Sequence, residues 1–265
     1  MAAAALSYIG IGALSGFVAG LLGVGGGAVS VPLLMLVFTA QHFPPEHVMH
    51  LALGTAMCTV LFTSISSVRA HHSHKSVDWP IARVMIPGIL LGSFAAALAA
   101  GLIPTRALAG MFIAFIGYAA TQLLLDLRPK RTRAVPGTGG VLVAGGVIGA
   151  VSSLLAAGGA FLSVPFLSWC NVPLKRAIGT AAAIGFPIAL AGTAGYMIQG
   201  SRVQGLPSPN VGYVYLPALL LVAMTSMLLA PLGARVAHRL PVKPLRIIFA
   251  LVLYALALRM LASIW

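Results

Sequence analysis

The chain has 265 residues, 60% of them hydrophobic and 7% charged, with a mean hydropathy of +1.03. Soluble domains are about half apolar and a quarter charged, so this composition excludes a water-soluble domain and implies a polytopic membrane protein. The net charge of +13 does not point to nucleic acid, because the sixteen Lys and Arg residues lie in short clusters between apolar stretches, where they act as topology signals.

Apolar stretches run from Leu6 to Ala40, Val48 to Val68, Ile81 to Leu102, Leu108 to Leu125, Val141 to Cys170, Ala177 to Ile198, Val211 to Leu232 and Leu245 to Ile264. A bilayer core about 30 Å thick takes about 20 residues per helical crossing, so the length holds roughly eight to ten crossings and no extra soluble domain. The first segment has no basic residue ahead of its apolar run and is read as part of the mature fold, not as a signal peptide. The expected location is a bacterial cytoplasmic (inner) membrane, crossed many times. Cys58 and Cys170 have no metal or redox spacing and read as small packing residues. No metal, no cofactor and no catalytic residue is expected.

The first and fifth stretches are too long for one crossing, and glycine interrupts both: Gly23-Val24-Gly25-Gly26-Gly27 in one, Ala156-Ala157-Gly158-Gly159-Ala160 in the other. Gly16 to Pro32 laid over Gly149 to Pro165 matches Leu21, Leu22, Gly25, Gly26, Ser30, Val31 and Pro32 with Leu154, Leu155, Gly158, Gly159, Ser163, Val164 and Pro165. Gly54-Thr55-Ala56 then matches Gly179-Thr180-Ala181, Pro87 is set against Pro217, and Pro104 against Pro241. The chain is an internal duplication. Residues 1–127 form a first transmembrane repeat, 128–139 a basic cytoplasmic linker, and 140–265 a second repeat.

Charge decides how the long segments fold. If each crossed once, the basic residues would divide almost evenly between the two sides. If each folds back as a hairpin of two short helices, the halves are inverted. Arg69, Lys75, Arg83, Arg128, Lys130, Arg131, Arg133, Lys175, Arg176, Arg235, Arg239, Lys243 and Arg246 then share the cytoplasm, with Arg106 and Arg202 outside. The expected fold is therefore an all-α polytopic membrane protein of two inverted repeats, each a glycine-tipped re-entrant hairpin plus three transmembrane helices. Both chain ends lie outside.

Irregular backbone at membrane depth is tolerated where protein buries it or where it lines a watery cavity. Two inverted tips meeting at the midplane fit the substrate site of inverted-repeat transporters. Each leads into Ser-Val-Pro, read as an N-cap serine with proline in the first turn, so a half-helix would start at each tip with its amides and positive dipole end facing an oxyanion. Gly25, Gly26, Gly27, Gly158 and Gly159 would let the backbone approach the ligand, and Ser30, Ser163, Thr55 and Thr180 would add hydroxyl donors. The bland alternative is that these small residues serve helix packing. Gly23-x-Gly25-x-x-Ala28 also fits a dinucleotide fingerprint, but no soluble βαβ unit surrounds it.

These motifs, with Gly-x-Gly-Gly-Gly-x-x-Ser-Val-Pro in the first half, a weaker copy in the second, Gly-Thr opening the next helix and Val77-Asp78-Trp79 in the first-half loop, resemble the sulfite exporter TauE/SafE family. The resemblance spans the chain. It implies a bacterial inner-membrane permease of two repeats that exports sulfite or carries a sulfonate such as sulfoacetate. On the family pattern Gly25, Gly26, Gly27 and Ser30 fit the first motif and Gly158, Gly159 and Ser163 the second. The second copy departs at Ala160 and at Ala181-Ala182, and Val-Asp-Trp finds no clear partner, since Asn210-Val211-Gly212-Tyr213 stands there.

His71, His72 and His74 read as a solvated loop that could draw anions, and His42, His47 and His50 as an outer connection beside Glu46. The acidic residues Glu46, Asp78 and Asp126 all fall at segment ends, so none is an intramembrane proton carrier. A dianion leaving down 100 mV gains about 4.6 kcal/mol, at about 2.3 kcal/mol per charge, and needs no coupled ion. An anion channel on the same scaffold is the alternative, and an intramembrane serine protease using Ser15 or Ser152-Ser153 a weaker one. The partners expected are a small anion and the lipid bilayer.

Overall fold

The computed structural model describes residues 2–22, 26–125, 134–237 and 242–264. Among them ten α-helices follow in order: α1 (Ala2–Leu22), α2 (Gly27–Ala40), α3 (Val48–Ser73), α4 (Trp79–Ala100), α5 (Thr105–Leu124), α6 (Thr138–Leu154), α7 (Ala160–Trp169), α8 (Leu174–Gly200), α9 (Leu216–Ala237) and α10 (Val242–Ile264). A short antiparallel ribbon, β1 (Asn210–Val211) and β2 (Val214–Tyr215), precedes α9. Six helices, α1, α3, α4, α5, α8 and α9, are long and apolar enough to cross a membrane. Leucines such as Leu91, Leu102 and Leu228 stand exposed on the perimeter, as side chains facing lipid do. The chain is an all-α polytopic membrane protein.

Each half has five helices, the second of them short. The first long segment folds back on itself: near the start of α1, the Tyr8 hydroxyl donates to Gln41 Oε1 just beyond α2 at 2.9 Å, and its ring meets Phe38 edge-on at 6.2 Å. The expected pair of two short helices is corrected in the first half only, since α6 with 17 residues and α7 with 10 are both short. α1 has 21 residues and spans about 31 Å at 1.5 Å per residue, whereas α2 with 14 and α7 with 10 span about 21 and 15 Å. The glycines upstream of the tip do not break α1, because they are spent on helix contacts.

Those contacts interlock the halves. Along α1, Gly12, Gly16 and Gly20 face Val222, Ser226 and Ala230 of α9 in the same chain direction. Along α6, Gly145 and Gly149 face Met85 and Ile89 of α4, again parallel, and a Cβ on Gly149 would sit 2.6 Å from the Ile89 carbonyl oxygen. This is small-residue packing of the membrane kind, in which backbones approach because no side chain separates them. The two junctions correspond, helix one of each half lying on helix four of the other. Between them run α3 and α8 in opposite directions, 78% and 72% buried against 28–39% for the other four long helices.

The register of the duplication differs from the one read along the chain. The amide of Asp78, just before α4, donates to Thr180 Oγ1 at 2.9 Å, and the amide of Tyr215, just before α9, donates to Thr55 Oγ1 at 3.0 Å. Asp78 and Tyr215 are thus equivalent, and Val77-Asp78-Trp79-Pro80 has its partner in Val214-Tyr215-Leu216-Pro217. Pro217 pairs with Pro80 and not Pro87, at the same spacing that relates Pro104 to Pro241. A longer connection ending in the β-ribbon displaced the sequence match.

The α4–α6 approach has a direct test. Gly149→Val forces the backbones apart and is expected to lower stability by about 1–3 kcal/mol. Gly117→Ala, where a Cβ meets nothing within 4 Å, should be neutral or stabilising by up to about 1 kcal/mol. Thermal unfolding in detergent reads both, and equal midpoints would contradict the close contact.

Candidate functional site

The hairpin tips meet inside the molecule. In the second, Ala156, Gly158 and Gly159 have φ of 45°, 61° and 79°, a left-handed path that glycine adopts without steric cost and that turns α6 into α7. In the first tip, Gly26 leads into α2 with φ of −74°, and Gly25 lies outside the described residues. Gly27 rests against the Ala156 carbonyl so closely that any Cβ would collide with it. Ala160, its counterpart, borders open space instead. That difference accounts for alanine standing where the first half has its third glycine.

The serines are not N-caps, which corrects the sequence reading. Gly26 and Gly159 hold the cap positions, and Ser30 and Ser163 lie in the second turn, fully buried. Their hydroxyls donate back to the Gly26 and Gly159 carbonyls at 2.8 and 2.7 Å. This i−4 back-bond is how a serine in an apolar helix satisfies its proton without water. Pro32 and Pro165 are consequently inside α2 and α7, not in the first turn. The leading amides of α7, Ala160 and Phe161, have no backbone partner among the described residues, as at any helix N-terminus.

Thr55 and Thr180 are fully buried and each accepts the amide that begins helix four of the opposite half. The glycine before each is required by the same contact: a Cβ on Gly54 would lie 2.5 Å from the Tyr213 carbonyl oxygen, and one on Gly179 would collide with Ser76. Gly-Thr is therefore a reciprocal latch between the halves.

A cavity of about 460 Å³ reaches the second tip at Gly158 and Ala160. Its walls are Ala19 and Gly20 of α1, Ala182 and Gly185 of α8, Met227, Ala230 and Pro231 of α9, and the hydroxyl face of α3 formed by Thr63, Ser64, Ser66 and Ser67, with His71 at the end of that face. Of the residues picked from sequence, Gly158 lines it directly, while Ser30, Ser163, Thr55 and Thr180 lie buried outside its lining. The α3 hydroxyls lie outside the glycine, Ser-Val-Pro and Gly-Thr motifs. The signal for them was present in Thr63-Ser64-x-Ser66-Ser67, a polar face in an otherwise apolar stretch.

The histidines are also placed differently. α3 continues to Ser73, so His71 and His72 sit on its last turn and not in a loop. Half-buried His71 has Nδ1 3.3 Å from Ser76 Oγ, and His72 Nδ1 accepts the Trp79 indole N–H at 3.1 Å. His50 is buried at the far end of α3, with Nε2 3.0 and 3.1 Å from the Ala100 and Ile103 carbonyls and its ring stacked on Tyr213. It ties down the turn between α4 and α5. Asp78 caps α4 through Ile81 and faces Arg176 at 3.9 Å.

Residues 8–260 match the family described as Sulfite exporter TauE/SafE. A "Probable membrane transporter protein" of Haemophilus influenzae is 35% identical over 94% of this chain and 95% of its own length. Proteins with similar descriptions from Methanocaldococcus jannaschii and Bacillus subtilis are each 25% identical, covering 95% and 92% of this chain and 93% and 92% of their own lengths. No solved structure matches.

The latch predicts stability effects. Thr55→Val or Thr180→Val leaves a buried amide unpaired and should cost about 1–3 kcal/mol, whereas the serine variants keep the acceptor and should stay near wild type. Unfolding midpoints of the four proteins check this.

Proposed function

The chain belongs to the sulfite exporter TauE/SafE family of membrane transporters, and from that premise we propose that it exports a small sulfur oxyanion, sulfite or an organosulfonate, across a bacterial inner membrane. The observation that carries the reading is the cavity that ends on the tip of the second hairpin, walled by hydroxyls and small residues and, among the described residues, free of acidic groups. A tetrahedral or pyramidal oxyanion presents acceptor oxygens on all sides. The leading amides at the N-terminus of α7 complement it without a fixed cation, and the α3 hydroxyls of Thr63, Ser64 and Ser66, which in this structure donate to the Val60, Leu61 and Thr63 carbonyls, would turn to it. Gly158 lines that cavity, and Gly25, Gly26, Gly27 and Gly159 are assigned with it to the backbone that would approach the ligand once the tips part. Ser30 and Ser163 brace the tips through their glycine carbonyls, and Thr55 and Thr180 hold the halves in register around the site.

The halves, 1–127 and 140–265 with the basic linker 128–139 between them, are proposed to be inverted in the membrane. Parallel packing of α1 on α9 and of α4 on α6, with α3 antiparallel to α8, supports this, since helix one of each half then runs with helix four of the other. The Ser76–Gly179 and Asp78–Arg176 contacts bring Lys75, Arg83, Lys175 and Arg176 to one end. Thr105, which starts α5, meets His50 at the opposite end, and Arg106 follows it there. The more basic end faces the cytoplasm by the positive-inside rule.

Transport is expected to be electrogenic, with no sodium and no stoichiometric proton. Proteoliposomes loaded with sulfite, with voltage set by potassium and valinomycin, should show efflux that scales with voltage at equal pH on both sides. Efflux that ignores voltage and follows a pH gradient would refute this and direct attention to His71. Unitary currents in place of saturable turnover would establish the channel alternative. At the site itself, Ala160→Leu adds bulk to the cavity wall and should weaken sulfite binding at least about tenfold, a loss of about 1.4 kcal/mol. Calorimetric titration with sulfite, thiosulfate, sulfoacetate, sulfate and chloride measures it and ranks the anions.

A further inference from the structure

Buried polar atoms normally have partners, and each exception calls for an explanation. Ser93, Ser152 and Ser153 are each 0% exposed, and their hydroxyls have no hydrogen-bond partner among the described residues. They lie where α4, α6 and α8 meet: Ser93 Oγ is 2.8 Å from the Cβ position of Gly149, and Ser153 Oγ is 2.7 Å from that of Gly192. Nothing in the packing of an apolar helix junction needs three serines there.

The duplication supplies the reason. With Gly16 on Gly149, Ala19 and Gly20 correspond to Ser152 and Ser153; with Tyr215 on Asp78, Ala230 corresponds to Ser93. Ala19, Gly20 and Ala230 all line the open cavity. With Thr55 on Thr180, His71 at the end of that cavity corresponds to Tyr196. Tyr196 is fully buried and its hydroxyl donates to the Ser153 carbonyl at 3.3 Å, which places it against α6 at Ser153. Met57, also fully buried, packs against Gly192 beside Ser153.

We propose that Ser93, Ser152 and Ser153 line a second anion vestibule, the counterpart of the open cavity and closed in this structure, for which Tyr196 is the gate. It takes the same small oxyanion from the opposite membrane face. The serine protons, unsatisfied here, become the donors to the anion or to water when Tyr196 and Met57 withdraw. This rests on the transport reading, and it assigns the second half of the path to residues that reading does not use.

Thiol accessibility tests it in the full chain. In a background of Cys58→Ala and Cys170→Ala, Ser67→Cys reports on the open cavity and Ser153→Cys on the closed vestibule. Membrane-impermeant thiol reagents are applied to right-side-out and inside-out vesicles. Ser153→Cys should react slowly and from the face opposite to Ser67→Cys. Tyr196→Phe, which keeps the ring but drops the bond to the Ser153 carbonyl, should speed that reaction severalfold, and Tyr196→Ala at least tenfold. Sulfite should slow it. Labelling of both cysteines from the same face overturns the proposal, as does a rate at Ser153→Cys unmoved by Tyr196→Phe. Should liposomes show no sulfite efflux while the two-faced labelling pattern holds, the substrate reading fails and the vestibule stands. Should efflux proceed without that pattern, the vestibule fails alone.

Discussion

Contact between bare backbones across the two halves is the constraint on which the rest depends. Inside lipid there is no hydrophobic force between helices, so association relies on close packing and on hydrogen bonds that water cannot replace. Gly12, Gly16 and Gly20 against α9, and Gly145 and Gly149 against α4, bring main chains to a separation that any side chain would prevent. Because the partner helix always comes from the other half, neither half is complete alone. The same exchange leaves α3 and α8 enclosed between the two junctions, the most buried of the long helices.

Within that frame the Gly-Thr latches set the position of helix four in each half. A threonine oxygen that accepts the first amide of a neighbouring helix replaces a capping side chain with one drawn from the other repeat. In the first half Asp78 adds a carboxylate cap and an ion pair with Arg176; in the second, Tyr215 stands at the same place and packs on Tyr8, Phe38 and Phe43. One end of the molecule is thus joined by charge and the other by aromatic rings. The scaffold is symmetric in its backbone contacts and asymmetric in the side chains that close it.

That asymmetry reaches the hairpin tips. Where Gly27 presses on the Ala156 carbonyl the first tip leaves no room, and where Ala160 stands the second tip borders a cavity. A histidine at one mouth and a buried tyrosine at its equivalent make the two approaches unlike in both size and polarity. A difference of this kind biases which of two states is populated, while the direction of net flux is set by the gradient and the voltage.

Much of this was legible along the chain. Composition alone determined a membrane protein, since no arrangement of 7% charged residues covers a soluble surface. The glycine interruptions located the tips, and the repeated Ser-Val-Pro and Gly-Thr located matching positions, because local motifs survive in linear order. What the sequence could not carry was which atom each motif would meet. Ser30 and Ser163 read as caps, yet the cap lies four residues earlier, at Gly26 and Gly159, and their protons return to those glycine carbonyls. Pro217 read as the partner of Pro87, yet a longer connection before α9 moved it to Pro80. Thr55 and Thr180 read as ligand donors, and only the arrival of helix four from the other half made them acceptors of its first amide. The cavity on α3, the placing of His71 beside it and the unpartnered serines near Tyr196 depend on residues from about forty to well over a hundred positions apart in the chain, and proximity of that kind is decided by tertiary packing, not by spacing.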